Sequence, residues 1–96
     1  MGADTFFHYA SGKTVSEAFA SAQKEARYDF GHSGYTGTIA EKDSYIVISC
    51  PTGENPEDFA DDLIGKCDPR IDNKWGPAGC IKLDRNKYLF FGWASS

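Results

Sequence analysis

The chain has 96 residues, 41% apolar and 15% aromatic, with ten basic against fourteen acidic side chains. That length suits one domain and is short for two, and seven Phe, five Tyr and two Trp exceed what a disordered chain carries. No apolar run approaches the roughly 20 residues of a membrane span, and the N-terminus lacks the basic-then-apolar pattern of a signal peptide; a soluble, cytoplasmic single domain spanning 1–96 is expected.

Thr5–Ala10, rich in aromatics, reads as a strand, and Ser11-Gly12-Lys13 turns the chain. Thr14 followed three residues later by Glu17 is a capping box, in which the hydroxyl accepts from the N3 backbone and the carboxylate reaches back. A helix over Val15–Asp29 follows, with Val15, Ala18, Phe19, Ala22, Ala26 and Phe30 on one stripe and Gly31 as the residue that ends it. The Gly-rich segment from His32 to Gly37 leads into a strand expected over Thr36–Glu41. Lys42-Asp43 forms a tight turn, and Tyr45–Ser49 is a β-branched strand that completes a hairpin. Asn55 is an N-cap with Pro56 at N1 and Glu57-Asp58 in the first turn. The helix behind it buries Phe59, Ala60, Leu63 and Ile64 and ends at Gly65. Residues 66–78 read as an irregular loop, and Gly79–Leu83 with Tyr88–Trp93 as a closing antiparallel hairpin over Asp84–Lys87. The order β-α-β-β-α-β-β implies an α+β fold, a mostly antiparallel sheet with both helices on one face. Phe19, Ala22, Ala26, Ile46, Ile48, Phe59 and Leu63 are accordingly expected in one shared core.

The acids are unevenly placed. Between Glu54 and Asp72 there are seven (Glu54, Glu57, Asp58, Asp61, Asp62, Asp68, Asp72) against Lys66 and Arg70, whereas the remaining chain holds seven acids and eight bases. Such a patch repels phosphate, which argues against direct nucleic-acid binding through it. It reads either as a solvated helix face or as a surface for a basic partner, such as the nucleic-acid groove of another protein. Asp58, Asp61 and Asp62 lie within one turn of each other, and like charges so spaced repel.

Three cysteines, Cys50, Cys67 and Cys80, suit free thiols better than a disulfide framework. No Cys-x₂-Cys or paired His supports a zinc site. Catalytic constellations are thin: Ser33 and Ser49 have no nucleophile-elbow context, and nothing in their spacing joins Cys50 to His32. A non-enzyme without cofactor or metal is expected.

Two loops stand out. Gly31-His32-Ser33-Gly34-Tyr35-Thr36-Gly37 has the spacing of a phosphate cradle in the wrong order, closing a helix instead of opening one. It reads as a helix stop with entry into a strand, or as a contact loop in which His32, Tyr35 and Thr36 offer binding surface. The segment Asp68–Gly79 is long for a compact domain; Trp75 there either plugs the loop onto the sheet or stands exposed as a contact residue, and Arg70 between Asp68 and Asp72 suits a local ion pair better than an anion ligand.

The runs His32-Ser33-Gly34-Tyr35-Thr36-Gly37-Thr38-Ile39-Ala40-Glu41-Lys42 and Asp68-Pro69-Arg70-Ile71 through Lys74-Trp75-Gly76-Pro77-Ala78-Gly79 resemble those of small bacteriophage-encoded proteins, notably of actinobacterial phages, over most of the chain. That group carries no assigned activity, so no residue role transfers. The resemblance implies a context, in which small phage proteins without catalytic motifs often inhibit host functions, anti-CRISPR and other anti-defence proteins among them. The expected function is a phage-type inhibitor that contacts a host protein with a basic groove, working in the host cytoplasm. The alternative is a small-molecule or nucleotide binder using His32–Gly37 with Arg70 and Trp75 as anion and stacking groups.

Overall fold

A computed structural model describes residues 3–30 and 38–95. Strand β1 (Ala3–Ser11) is followed by helix α1 (Val15–Phe30), a 3₁₀ turn (Ile39–Glu41), strand β2 (Tyr45–Val47), helix α2 (Pro56–Gly65) and strands β3 (Ala78–Asp84) and β4 (Lys87–Ser95). The four strands form one mixed sheet in the order β1-β4-β3-β2. β4 pairs antiparallel with both β1 and β3, and only β2 runs parallel to its neighbour β3. The α+β class, both helices and the closing hairpin are therefore as the sequence reads, with Arg85-Asn86 as its turn.

The helix ends form by the expected chemistry. Glu17 N donates to Thr14 Oγ1 at 3.2 Å, the first half of the capping box, while the Glu17 carboxylate reaches one residue further back and accepts from Lys13 N at 3.0 Å. At α2, Asn55 Oδ1 accepts from Glu57 N and Asp58 N at 2.9 and 3.2 Å, satisfying two of the orphan donors of the first turn.

The layers differ from the expectation of two helices on one face. Tyr88, Phe90 and Ala94 of β4 pack with Phe6, Ala10, Cys80 and the α1 stripe Ala18, Phe19, Ala22 and Ala26. Leu89 and Phe91 point the other way, packing with Ile81, Ile48, Ile71 and the α2 residues Ala60, Leu63 and Ile64. The helices thus cover opposite faces, and the seven residues expected in one core divide between two. Phe19, Ala22 and Ala26 lie under α1, while Leu63 and Ile48, with Phe59 and Ile46 at the margin, lie under α2. The physical reason is in β4: alternate residues of a strand face opposite ways, and Tyr88-Leu89-Phe90-Phe91 is apolar at every position.

The hairpin expected from Thr36–Glu41 and Tyr45–Ser49 does not form. Residues 36 and 37 lie outside the described residues; from Thr38 the chain takes a 3₁₀ turn, with Thr38 Oγ1 accepting from Ala40 N at 3.3 Å. Ile39 is buried by that turn against the α1 side. β2 finds its partner instead in β3, Tyr45 opposite Ala78 and Val47 opposite Cys80. Among the described residues there are four strands where five are expected.

Gly79 shows how closely neighbouring strands pack, since its cross-strand partner is Phe91. A Cβ there would come within 2.6 Å of Phe91 Cζ, so the ring lies directly on the backbone of β3. Gly92, opposite Phe6 on β1, has φ 143, a conformation that L side chains rarely adopt.

Candidate functional site

α2 turns its apolar stripe into the sheet and leaves Glu57, Asp58, Asp61 and Asp62 exposed. Their positions are not equivalent. Asp62 Oδ2 is 2.7 Å from Lys66 Nζ one turn on, so its charge is locally offset, and the Lys66 ammonium pKa is raised by that bond. Glu57 Oε1 accepts from the Tyr9 hydroxyl across the α2 face of the sheet, and that hydrogen bond, with desolvation and the nearby charge, pushes the Tyr9 phenol up to about 12. Asp58 and Asp61 have no side-chain partner among the described residues, and both are exposed. Glu57 and Asp61, four residues apart, share the flank of α2 that faces β1. On that side Phe7 and Tyr9 stand 41% and 52% exposed, because α2 packs chiefly over β3 and β4. The surface therefore combines carboxylates with partly bare aromatics.

The other sequence-predicted residues separate from this patch or from one another. His32, Tyr35 and Thr36 lie outside the described residues. Arg70 is held by Asp68: its Nε and Nη2 donate to Oδ1 and Oδ2, both at 2.9 Å, and its backbone N donates to Oδ1 at 2.9 Å. This is the local ion pair, and the Arg70 contacts hold the Asp68 carboxyl down to about 2. Trp75 is 61% exposed, so it does not plug the loop onto the sheet; Lys74 Nζ lies 5.4 Å from its ring centroid. Ile71, an isolated aliphatic side chain in a polar loop, is what anchors 66–78 to the core.

Lys42 is the functional-looking residue that the sequence reading placed in a turn. It is 2% exposed, and its Nζ donates to the carbonyls of Asn73, Lys74 and Gly76 at 3.3, 3.2 and 3.0 Å. An ammonium has three N–H bonds, and all three end on the loop that presents Trp75. Gln23 of α1 donates to the Lys42 carbonyl, tying the helix to the same junction. Burial pushes the Lys42 amine down to about 8. Its contacts are all with backbone carbonyls, so it acts as an internal staple. A lysine beside an aspartate in a polar stretch carries no sequence signal of burial.

Cys50, Cys67 and Cys80 are free. Cys80 is buried, which pushes its thiol up to about 12; the Cys50 thiol lies 3.7 Å from the carbonyls of Pro51 and Glu54; Cys67 is exposed with φ 55. Among the described residues no group of His, Cys, Asp and Glu could hold a metal ion, and no helix is long and apolar enough to cross a membrane. A cleft of about 410 Å³ beside α1 is lined by residues including Ser11, Ser21, Glu25, Lys87 and Tyr88, with Ser21 Oγ donating to Glu25 Oε1 at 3.5 Å. No protein-family model, curated protein or solved structure matches the chain significantly.

Proposed function

We propose that this chain is a binding protein that acts by protein–protein contact, and that the exposed carboxylates of α2 engage a basic surface on its partner. The observation that supports this most is the contrast within one short helix. Asp62 and Glu57 have intramolecular roles, whereas Asp58 and Asp61 are left without side-chain partners among the described residues, Asp61 on the same flank as Glu57, toward exposed Phe7 and Tyr9. The first-turn dipole favours Asp58, but Asp61 lies beyond that turn, and like charges so spaced repel by a few tenths of a kcal/mol. A basic groove that binds nucleic acid has the complementary charge. The resemblance to small phage proteins makes inhibition of a host function, such as a CRISPR-like defence complex, the context we favour.

Affinity capture from bacterial host lysate tests the reading. Wild-type protein and an Asp58→Lys/Asp61→Lys variant serve as paired baits at low and physiological salt. A protein held by the wild type and released by the variant supports it. The same proteins captured equally by both baits would refute it.

A further inference from the structure

The sheet ends on β2 at one side and on β1 at the other. β2 contributes only three residues, which leaves little edge to pair. β1 pairs with β4 over nine consecutive residues without a register shift, and no strand covers its other side among the described residues. Proteins blunt a long open edge with Lys, Pro, a bulge or a covering element, because unpaired backbone groups recruit another strand. β1 contains neither Pro nor Lys, and its ladder is unbroken.

We propose that β1 takes β1 of a second copy as its neighbour, antiparallel and two-fold symmetric, with Phe6 opposite Phe6 on the axis. This goes beyond the acidic-face reading and does not depend on it. Charge complementarity selects the register. Asp4, Phe6 and His8 lie on one face of β1, opposite Ala94, Gly92 and Phe90 of β4. Centring on Phe6 sets each Asp4 opposite His8 of the second copy, so the acid–imidazole contact forms twice. Centring on Phe7 would place Asp4 opposite Ala10 and His8 opposite Phe6. Cross-strand pairs of this kind are the units that stabilise a sheet.

The same axis accounts for Tyr28, which is 90% exposed, the most of any large apolar side chain described. α1 runs back along β1, and His8 Nε2 lies 3.9 Å from Glu25 Oε1. Ser21, Glu25 and Tyr28 follow at helical spacing along that flank, while Gln23 on the opposite flank bonds Lys42. From His8 to Phe6 the strand covers roughly 6.6 Å, or about four helical residues, which brings Phe6 level with Tyr28. α1 lies over β1 and β4. Strands spaced by about 4.8 Å then set the two α1 helices roughly 10 Å apart across the axis, the ordinary distance between packed helices. Tyr28 of each copy fills that seam. On the other face, Phe7 and Tyr9 become the floor of a groove between two acidic α2 helices.

Sedimentation velocity on the full chain across a concentration series reads this directly. A reversible dimer is expected, and Tyr28→Lys, which alters an exposed side chain and leaves the circular dichroism spectrum unchanged, weakens it by roughly ten-fold or more in Kd. Disulfide trapping locates the seam. In a Cys67→Ser background, which removes the exposed native thiol, Tyr28→Cys is expected to cross-link two chains, and Val47→Cys on the far edge is not. A monomer at every concentration, a dimer indifferent to Tyr28→Lys, or cross-linking through Val47→Cys in place of Tyr28→Cys overturns the proposal.

Discussion

Lys42 puts an amine where side chains of its kind are rarely buried without partners. Its three carbonyl partners come from a loop whose backbone has few other ways to be satisfied once folded against the sheet. Lys42→Met keeps the length of the stem and removes the donor from all three carbonyls, of which Asn73 O keeps its bond from Gly76 N. We expect a loss of about 2–4 kcal/mol in urea-unfolding stability, with Trp75 fluorescence reporting a loosened loop. The titration has a definite sign. Burial lowers the folded pKa to about 8 from 10.5, so between those values the unfolded chain binds more protons than the folded one. Stability therefore rises with pH across that window. The wild-type minus Lys42→Met difference in unfolding free energy is expected to grow from pH 8 to pH 10; a flat difference would mean that the three carbonyls fully offset the desolvation. Gly79 makes a second residue-scale case. Gly79→Ala drives a methyl into the buried Phe91 ring, and a loss of about 1–3 kcal/mol is expected by thermal or chemical unfolding.

Among the elements, the two helices were the most legible in the sequence. Thr14 with Glu17 and Asn55 with Pro56 are local signals, and local chemistry decides them. Asn55→Ala is expected to cost about 1 kcal/mol, read as a drop in Tm, with α2 the first element to exchange its amides. The strands were legible in place but less so in pairing. A continuous apolar run such as Tyr88–Phe91 is the mark of a strand buried on both faces, and it carried the opposite-face arrangement that the helix stripes alone could not convey. The run Thr38–Glu41 has strand composition, yet Thr38 caps a 3₁₀ turn with its own hydroxyl, a competition that composition does not resolve. The parallel partnership of β2 with β3 spans a whole helix and loop, so no local pattern encodes it. Of the candidate site, the α2 acids were legible by count, but which of them are free was not. That depends on Lys66 one turn away and on Tyr9, which is 48 residues distant in sequence.

At the scale of the whole molecule, the chain is a thin sheet with one helix on each face and three different surfaces. α1 and the β1 edge offer the pairing surface, α2 offers negative charge beside aromatics, and the Lys42-stapled loop offers Trp75. Steering by the α2 charges acts over about 10 Å at 0.1 M ionic strength, so it belongs to association more than to dissociation. The most direct measurement is the association rate of wild type and Asp58→Lys/Asp61→Lys with the captured partner, followed across ionic strength. Both side chains are exposed and, among the described residues, without hydrogen-bond or ion-pair partners, so Tm should fall only slightly, through the loss of the Asp58 charge from the first turn of α2. The account predicts slower association for the variant at low salt, with the two rates converging as salt is added. Equal association rates at every ionic strength would contradict it.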